Sequence, residues 1–360
     1  MYKRQAITAQ FPAESDAIEQ YFQDIQKAAI WGRNKFLAVA TPQPMAVLMN
    51  LLVKRKEAFF LQSIQLYFDA QFKDEKLKSL LLSQWGDYGD APSKAVFWVH
   101  ASIVSHYMNG AYYPQGGAKR IAETITPVIE RSGGKCLCCC EVSEIIVKDG
   151  KAIGVQYKTL KGGNWVEEVV YADKIISNVG AKNTFHKLLK TPIHPELEQL
   201  KEDITAITIY MGLKESPADK FGFTGGNFWF FENYDHNKTA SERDLINGKI
   251  GMCYLSFPSL KNSSKTAHTA EIVALANYED FSQWAQTEWQ KRGEDYQAVK
   301  DKIAAKFLAY LDSKFAGFSD NVDFIEVSTP LSVEKFTSRQ RGAMYGLPCT
   351  KERFQMDCLQ

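Results

Sequence analysis

The stretch 136–171 constrains the fold most, because it reads as extended chain broken by turns too short for anything but antiparallel pairing. Cys136–Val142 and Glu144–Lys148 are expected to be extended, and Asp149-Gly150 is a dipeptide that tolerates positive φ at a hairpin tip. Ala152–Lys158 runs back, Gly162-Gly163 turns again, and Trp165–Tyr171 completes a third strand. Such short turns join antiparallel neighbours; parallel strands need a long crossover. A β-meander follows. Lys174–Ser177, centred on Ile175 and Ile176, reads as a short buried strand leading into Asn178-Val179-Gly180-Ala181.

The flanks differ from this core. Tyr112-Tyr113-Pro114-Gln115-Gly116-Gly117 is a turn-rich loop, since proline and paired glycine cannot continue a helix or strand. Ile121, Ile125, Val128 and Ile129 mark a helix closed by Gly133-Gly134 and disturbed by Pro127. Upstream the chain is helical: Ile18, Tyr21, Phe22, Ile25, Ala28 and Ala29 recur on one face, with further helices over Leu48–Ala70 and Lys76–Gln84. Downstream of Pro192, strands are expected at Ala206–Leu213, Asn227–Phe231, Ile250–Phe257, Glu271–Tyr278 and Asp323–Ser328. Helical segments at Phe281–Arg292 and Tyr296–Phe315 interrupt them. Four regions result: 1–111, 112–190, 191–330 and 331–360. The class is α/β in the broad sense, α+β overall, with a mixed-sheet domain and flanking helices.

Composition excludes several functions. A net charge of +1 gives no field for a polyanion, so nucleic acid is not an expected partner. The first twenty residues are polar and carry no apolar core of a signal peptide. With seven cysteines, an odd number, a disulfide framework is not indicated, and a reducing cytoplasm fits. Four cysteines crowd into positions 136, 138, 139 and 140. Neighbouring strand residues point to opposite faces, so Cys138, Cys139 and Cys140 cannot converge on one tetrahedral ion without breaking the strand; they read as small buried hydrophobes of a core strand. Phe36–Val53 lacks charge but contains Pro42 and Pro44, which makes it a poor bilayer-spanning helix. Lys54, Arg55 and Lys56 follow, then Ala58–Phe60. That arrangement suits either a buried helix with a solvated basic end or a surface resting on a membrane.

No motif carries chemistry by itself. The six histidines have no metal-ligand spacing, and no G-x-S-x-G elbow accompanies them. His100 and His106 lie in an apolar stretch and read as cavity-lining or core residues. Nowhere does the chain contain G-x-G or a Walker sequence.

Several segments in order do resemble a known family. "YYPQGGAKRIAETITPVIERSGG", "CCCEVSEIIVKDGKAIGVQYKT", "YADKIISNVGAKNTF" and "STPLSVEKFTSRQRGAMYGLP" resemble the FAD-dependent phytoene desaturase, carotenoid isomerase and retinol saturase group. "YLSFPSLKNSS" and "FSQWAQTEWQKRGEDYQAVK" look like the retinol-saturase and carotenoid-isomerase branch. The likeness covers most of Ala6–Gln360.

The resemblance implies an FAD cofactor, with NAD(P) as a second candidate, and an apolar polyene as substrate. It implies that the chain holds part of an FAD/NAD(P)-binding Rossmann-type domain and lacks the N-terminal G-x-G-x-x-G unit and the C-terminal flavin segment. By the same resemblance Val142 and Glu141 lie at the adenosine end, and Gly116, Gly117, Asn178 and Ala181 on the cofactor side. Tyr113, Phe336, Met344 and Gly346 line the substrate, and Tyr345 and Arg341 are placed at the chemistry. A cytoplasmic protein, peripheral on the inner membrane face, would suit such a substrate. A flavin amine-oxidase-type enzyme and a non-catalytic truncated binding protein are the alternatives.

Overall fold

A computed structural model describes residues 2–202, 204–262 and 267–359. The chain divides into two compact units. The larger takes in the N-terminal helices through Tyr112 together with 204–261 and 267–359; the smaller is formed by Tyr113–Lys201.

Six helices open the larger unit: α1 (Tyr2–Gln10), α2 (Ser15–Ala40), α3 (Met45–Phe60), α4 (Ile64–Gln71), α5 (Glu75–Leu82) and α6 (Phe97–Tyr107). The helical stripe of α2 is buried at Ile18, Tyr21, Phe22, Ile25, Ala28 and Trp31, while Ala29 is half-buried. The helix expected over Leu48–Ala70 is in fact two. Ser63 caps α4 by accepting a hydrogen bond from the Leu66 amide at 3.2 Å, and the Phe97 amide takes the Gln62 carbonyl at 2.9 Å. Asp74 caps α5 in the same way through the amides of Lys76 and Leu77.

The smaller unit holds α7 (Lys119–Arg131) and an antiparallel sheet ordered β1 (Cys140–Lys148), β2 (Lys151–Lys161), β3 (Asn164–Tyr171). The two turns fall where expected. Asp149 and Gly150 have φ of 50° and 75°, and Gly162 and Gly163 have 57° and 84°. Three expectations fail here. Cys136, Cys138 and Cys139 precede the strand and are exposed, and only Cys140 enters it. Lys174–Ser177 forms no strand, and Ile176 is 93% exposed. Extended backbone alone does not make a strand; it needs a neighbour to accept its hydrogen bonds, and none pairs with it among the described residues.

The rest of the larger unit is a five-stranded sheet with helices. In chain order these are β4 (Thr205–Leu213), α8 (Pro217–Phe221), β5 (Phe228–Phe231), α9 (His236–Ser241), β6 (Met252–Ser256) and β7 (His268–Ala276). Then follow α10 (Glu294–Lys314), β8 (Val322–Ser328), α11 (Pro330–Thr337) and α12 (Lys351–Gln355). The spatial order is β5-β6-β7-β4-β8, and every pairing is antiparallel. The sheet expected to be mixed is therefore purely antiparallel. Phe281–Arg292 is helical only as a 3₁₀ turn over Tyr278–Trp284.

Alternation divides the sheet between two cores. Ile207, Ile209, Cys253, Leu255, Ile272 and Ala274 pack with Ile303, Phe307 and Leu311 of α10. Trp229, Phe231, Met252 and Leu275 face the other way and join the helical core of Tyr21, Phe68, Trp85 and Phe97. Two buried histidines tie this second core together. His100 is fully buried between the hydroxyls of Tyr21 and Tyr88, at 2.9 and 3.2 Å, and burial pushes its pKa down to about 3. His236 receives the Trp85 indole N–H on Nδ1 at 3.0 Å, and its Nε2 lies 2.8 Å from the Ser79 carbonyl. Both are core residues. His106 is exposed, its ring edge-on to that of Tyr107 at 5.3 Å.

Candidate active site

The return segment after α11 delivers Tyr345 onto the loop that follows α5. The Tyr345 hydroxyl donates to the Gly86 carbonyl. Its ring lies so close to Gly89 that a Cβ there would meet Tyr345 Cδ2 at 2.3 Å. Gly89 also sits at φ +87°, a conformation that favours glycine. Gly86 is crowded by a second aromatic: its Cβ would meet the Trp229 ring at 2.3 Å. Backbone contacts hold the segment in register. The Cys349 amide donates to Asp90 at 2.6 Å, the Val96 amide to the Cys349 carbonyl at 3.0 Å, and the Met344 amide to the Ile204 carbonyl at 2.9 Å.

Trp229 and Tyr254 stand opposite each other on β5 and β6, with ring centroids 4.8 Å apart. Behind Tyr254 runs a polar chain. Ser256, two residues along the same strand and buried, lies close enough to the Tyr254 phenol to lower its pKa against the effect of burial. Lys261 Nζ donates to Ser256 Oγ at 2.7 Å and to Asn227 Oδ1 at 2.6 Å. Burial lowers the Lys261 pKa, so the ammonium releases its proton more readily than a solvated lysine. Burial raises the Tyr254 phenol and pushes Tyr345 up to about 12. Asp87 is half-buried with a raised pKa of its own, and its charge opposes ionisation of Tyr107, Tyr254 and Tyr345. The result is an aromatic wall of an indole and two neutral phenols, one of the phenols beside a serine that a lysine holds.

The other expected site residues are scattered. Arg341 does not share Tyr345's surroundings: its guanidinium holds Glu279 through both carboxylate oxygens at 2.6 Å and covers the Tyr278 ring at 4.8 Å. It adopts φ 58°, and its amide donates to Glu334. Phe336 is 68% exposed and packs edge-on against Trp289 at 5.2 Å. Both line a cleft of about 820 Å³ with Tyr210, Arg292, Tyr296 and Lys300, to which Tyr345 does not contribute. Met344 is partly exposed, and Gly346 has φ 75° and abuts Arg339. In the smaller unit Glu141 and Val142 are exposed on β1, which lies at an edge of its sheet and is bulged between Val142 and Glu144. Gly116 and Gly117 have φ near +90°, Tyr113 is 46% exposed, Asn178 is exposed, and Ala181 is half-buried at the start of a short helical turn.

As a test of fit, the outer edge of β1 is already engaged at Ile145, whose amide donates to the Leu188 carbonyl at 2.7 Å, while Val142 and Glu141 beside the bulge are exposed. No G-x-G exists in the 360 residues to cradle a pyrophosphate. The 360 residues therefore supply no glycine fingerprint for the phosphates of a dinucleotide.

No family model matches the chain. All-trans-retinol 13,14-reductase from Danio rerio is 29% identical over 372 residues, taking in 96% of this chain and 60% of that protein. A protein named inactive all-trans-retinol 13,14-reductase, also from Danio rerio, is 26% identical over 348 residues, with 90% and 56% covered. Prolycopene isomerase, chloroplastic, from Arabidopsis thaliana is 26% identical over 358 residues, with 95% and 56% covered.

The chain is similar to these proteins over nearly all of its own length. This bears out the resemblance to the retinol-saturase and carotenoid-isomerase branch. The chain spans about three fifths of the length of the curated relatives it matches. Sequence reasoning missed Gly86, Asp87, Gly89, Trp229, Tyr254, Ser256 and Lys261. A tyrosine and serine two apart on a strand that also reads as core gave one weak signal, and G-D-Y-G gave another.

Proposed function

We propose that the chain supplies the substrate-binding part, and a share of the flavin domain, of an FAD-dependent oxidoreductase acting on carbon–carbon double bonds of an apolar polyene. The observation that carries this is the group of Trp229, Tyr254 and Tyr345 backed by Ser256 and Lys261, in a chain related to retinol reductases and prolycopene isomerases. Aromatic faces bind a conjugated chain by area, worth about 25 cal/mol per Å² of apolar surface covered.

Bound flavin would supply hydride exchange with a substrate carbon. Tyr254 holds the complementary proton: its phenol stays neutral, Ser256 lies beside it, and Lys261 stands behind Ser256 to replace the proton. Tyr345 shapes the wall from its anchor on Gly86, and Arg341 positions the return segment through Glu279. Val142 and Glu141 are assigned to the adenosine end, with Gly116, Gly117, Asn178 and Ala181 on the cofactor side of a Rossmann-type domain. Tyr113, Phe336, Met344 and Gly346 are assigned to the substrate, and NAD(P) to electron exchange where the reaction requires it. A cytoplasmic location with peripheral contact on the inner membrane face belongs to the same reading. No helix among the described residues is long and apolar enough to cross a membrane.

Titration of the 360-residue chain with all-trans-retinol, followed by quenching of tryptophan fluorescence, tests the site. Saturable binding that Trp229→Ala weakens about tenfold, or ~1.4 kcal/mol, is expected. Linear, non-saturating quenching in both proteins would remove the substrate assignment. In a longer, flavin-loaded form, Tyr254→Phe should lose turnover while keeping retinol binding.

A further inference from the structure

The joint between α2 and α3 is the least ordinary surface of the larger unit. From Phe36 to Val53 there is no charged side chain. Along it Phe36, Leu37, Val39, Met45, Val47, Leu48, Leu51 and Leu52 are between 48% and 72% exposed. The residues that could have hidden them are absent from the seam between the helices, which is made of small or slender side chains. Ala38, Ala46 and Val53 are buried, and the Thr41 hydroxyl closes on the Leu37 carbonyl at 2.6 Å and the Met49 sulfur at 3.7 Å. Trp31 pins the base, its indole donating to the Val53 carbonyl at 2.9 Å. Each helix therefore turns its small face inward and its large apolar face out.

Charge identifies what covers it. Arg33, Lys54, Arg55 and Lys56 are exposed just below the apolar tip, and the neighbouring carboxylate of Glu57 is held by Lys35 at 3.5 Å. A protein partner would be expected to present mixed charge around such a patch. An anionic lipid leaflet presents hydrocarbon beneath a uniformly negative surface. The dimensions agree: Met45–Val53 rises about 13 Å at ~1.5 Å per residue, close to half of the ~30 Å hydrocarbon core.

We propose that the α2–α3 hairpin enters one leaflet of an anionic bilayer, tip first, with Arg33, Lys54, Arg55 and Lys56 at the headgroups. This deepens the peripheral contact in the proposed function and does not depend on the chemistry. A lipid-soluble substrate would then meet the protein in the membrane where it dissolves.

The test is flotation of the 360-residue chain with vesicles of phosphatidylcholine alone and with 30 per cent phosphatidylserine, roughly the anionic content that gives the surface potentials of cytoplasmic leaflets. The wild type should float with the mixed vesicles. The triple variant Leu48→Ser, Leu51→Ser, Leu52→Ser should lose at least about tenfold in partition on both compositions, since apolar burial drives insertion. Its fold is checked by circular dichroism, which exposed positions should leave unchanged. Lys54→Gln, Arg55→Gln, Lys56→Gln should lose affinity for the mixed vesicles only. If the wild type floats and the leucine variant floats equally, hairpin insertion is wrong while peripheral contact stands. If the wild type binds neither composition, both are wrong.

Discussion

The two units of this chain are built to different standards of closure. In the larger, two cores share one sheet, and side chains as large as Trp85, Phe68, Phe257 and Phe307 are at most 1% exposed. In the smaller, Ile145, Leu197 and Leu200 are the buried hydrophobic residues among those described, while Trp165, Val169, Val170 and Tyr171 of β3 are 46–69% exposed. The helix α7 buries nothing: Ile121, Ile125, Val128 and Ile129 are 37–56% exposed. A three-stranded meander and an amphipathic helix are each half of a layered structure and need another layer to cover them. The larger unit has the ingredients of an independently stable fold, and the smaller reads as part of one.

The sharpest way to break the contrast is to cut each core. Trp85→Ala removes a fully buried indole and orphans His236 Nδ1, at a cost of about 3–5 kcal/mol. It should lower the main unfolding transition of the chain. Ile145→Ala should leave that transition in place and accelerate amide exchange in β1–β3 alone. If both variants shift one common transition equally, the units unfold together and the distinction fails.

Two further measurements sharpen the account of the larger unit. Gly86→Ala forces a methyl into the Trp229 ring, an overpacking worth about 1–3 kcal/mol. It should also weaken retinol binding, because the ring that moves is part of the wall. His100 makes stability fall with acidity. Its folded pKa lies near 3 and its unfolded value near 6.5, so below pH 6.5 the unfolded chain binds the extra proton. Between pH 7 and pH 5 this should remove about 2 kcal/mol, full loss being reached as pH approaches 3. The His236 pKa is also lowered by burial and adds in the same direction. Equal melting temperatures at pH 7 and pH 5 would show that neither imidazole is held neutral.

Much of this fold was legible because its signals are local. Alternation located all five strands of the larger sheet, and Asp149-Gly150 and Gly162-Gly163 located the meander turns. The break at Ser63 was missed because a capping serine inside an apolar run looks like one more polar residue of an amphipathic helix. Burial was the harder quantity. Cys138, Cys139 and Ile176 have core-like side chains, but whether a layer covers them is decided by residues far away in sequence. The site was legible only in part for the same reason. Tyr345 was singled out through family resemblance alone, whereas Trp229, Tyr254 and Lys261 meet only when β5 pairs with β6 and the chain turns back after Phe257.

The smallest expected effect is the most telling about the smaller unit. Ile125 and Val128 are 53% and 52% exposed, so replacing both by serine in the 360-residue chain should change stability by no more than about 0.5 kcal/mol. Surface positions without special contacts seldom cost more. In a longer protein whose added layer covers α7, the same pair would lose its burial, at roughly 1.5–3 kcal/mol for each large apolar side chain fully covered. Denaturant midpoints of the pair of variants in both lengths decide the matter. A small change in the short chain and a large one in the long chain would identify α7 as an internal face awaiting its layer. Small changes in both would mean that α7 faces solvent in the longer protein too, and that its apolar stripe needs another explanation.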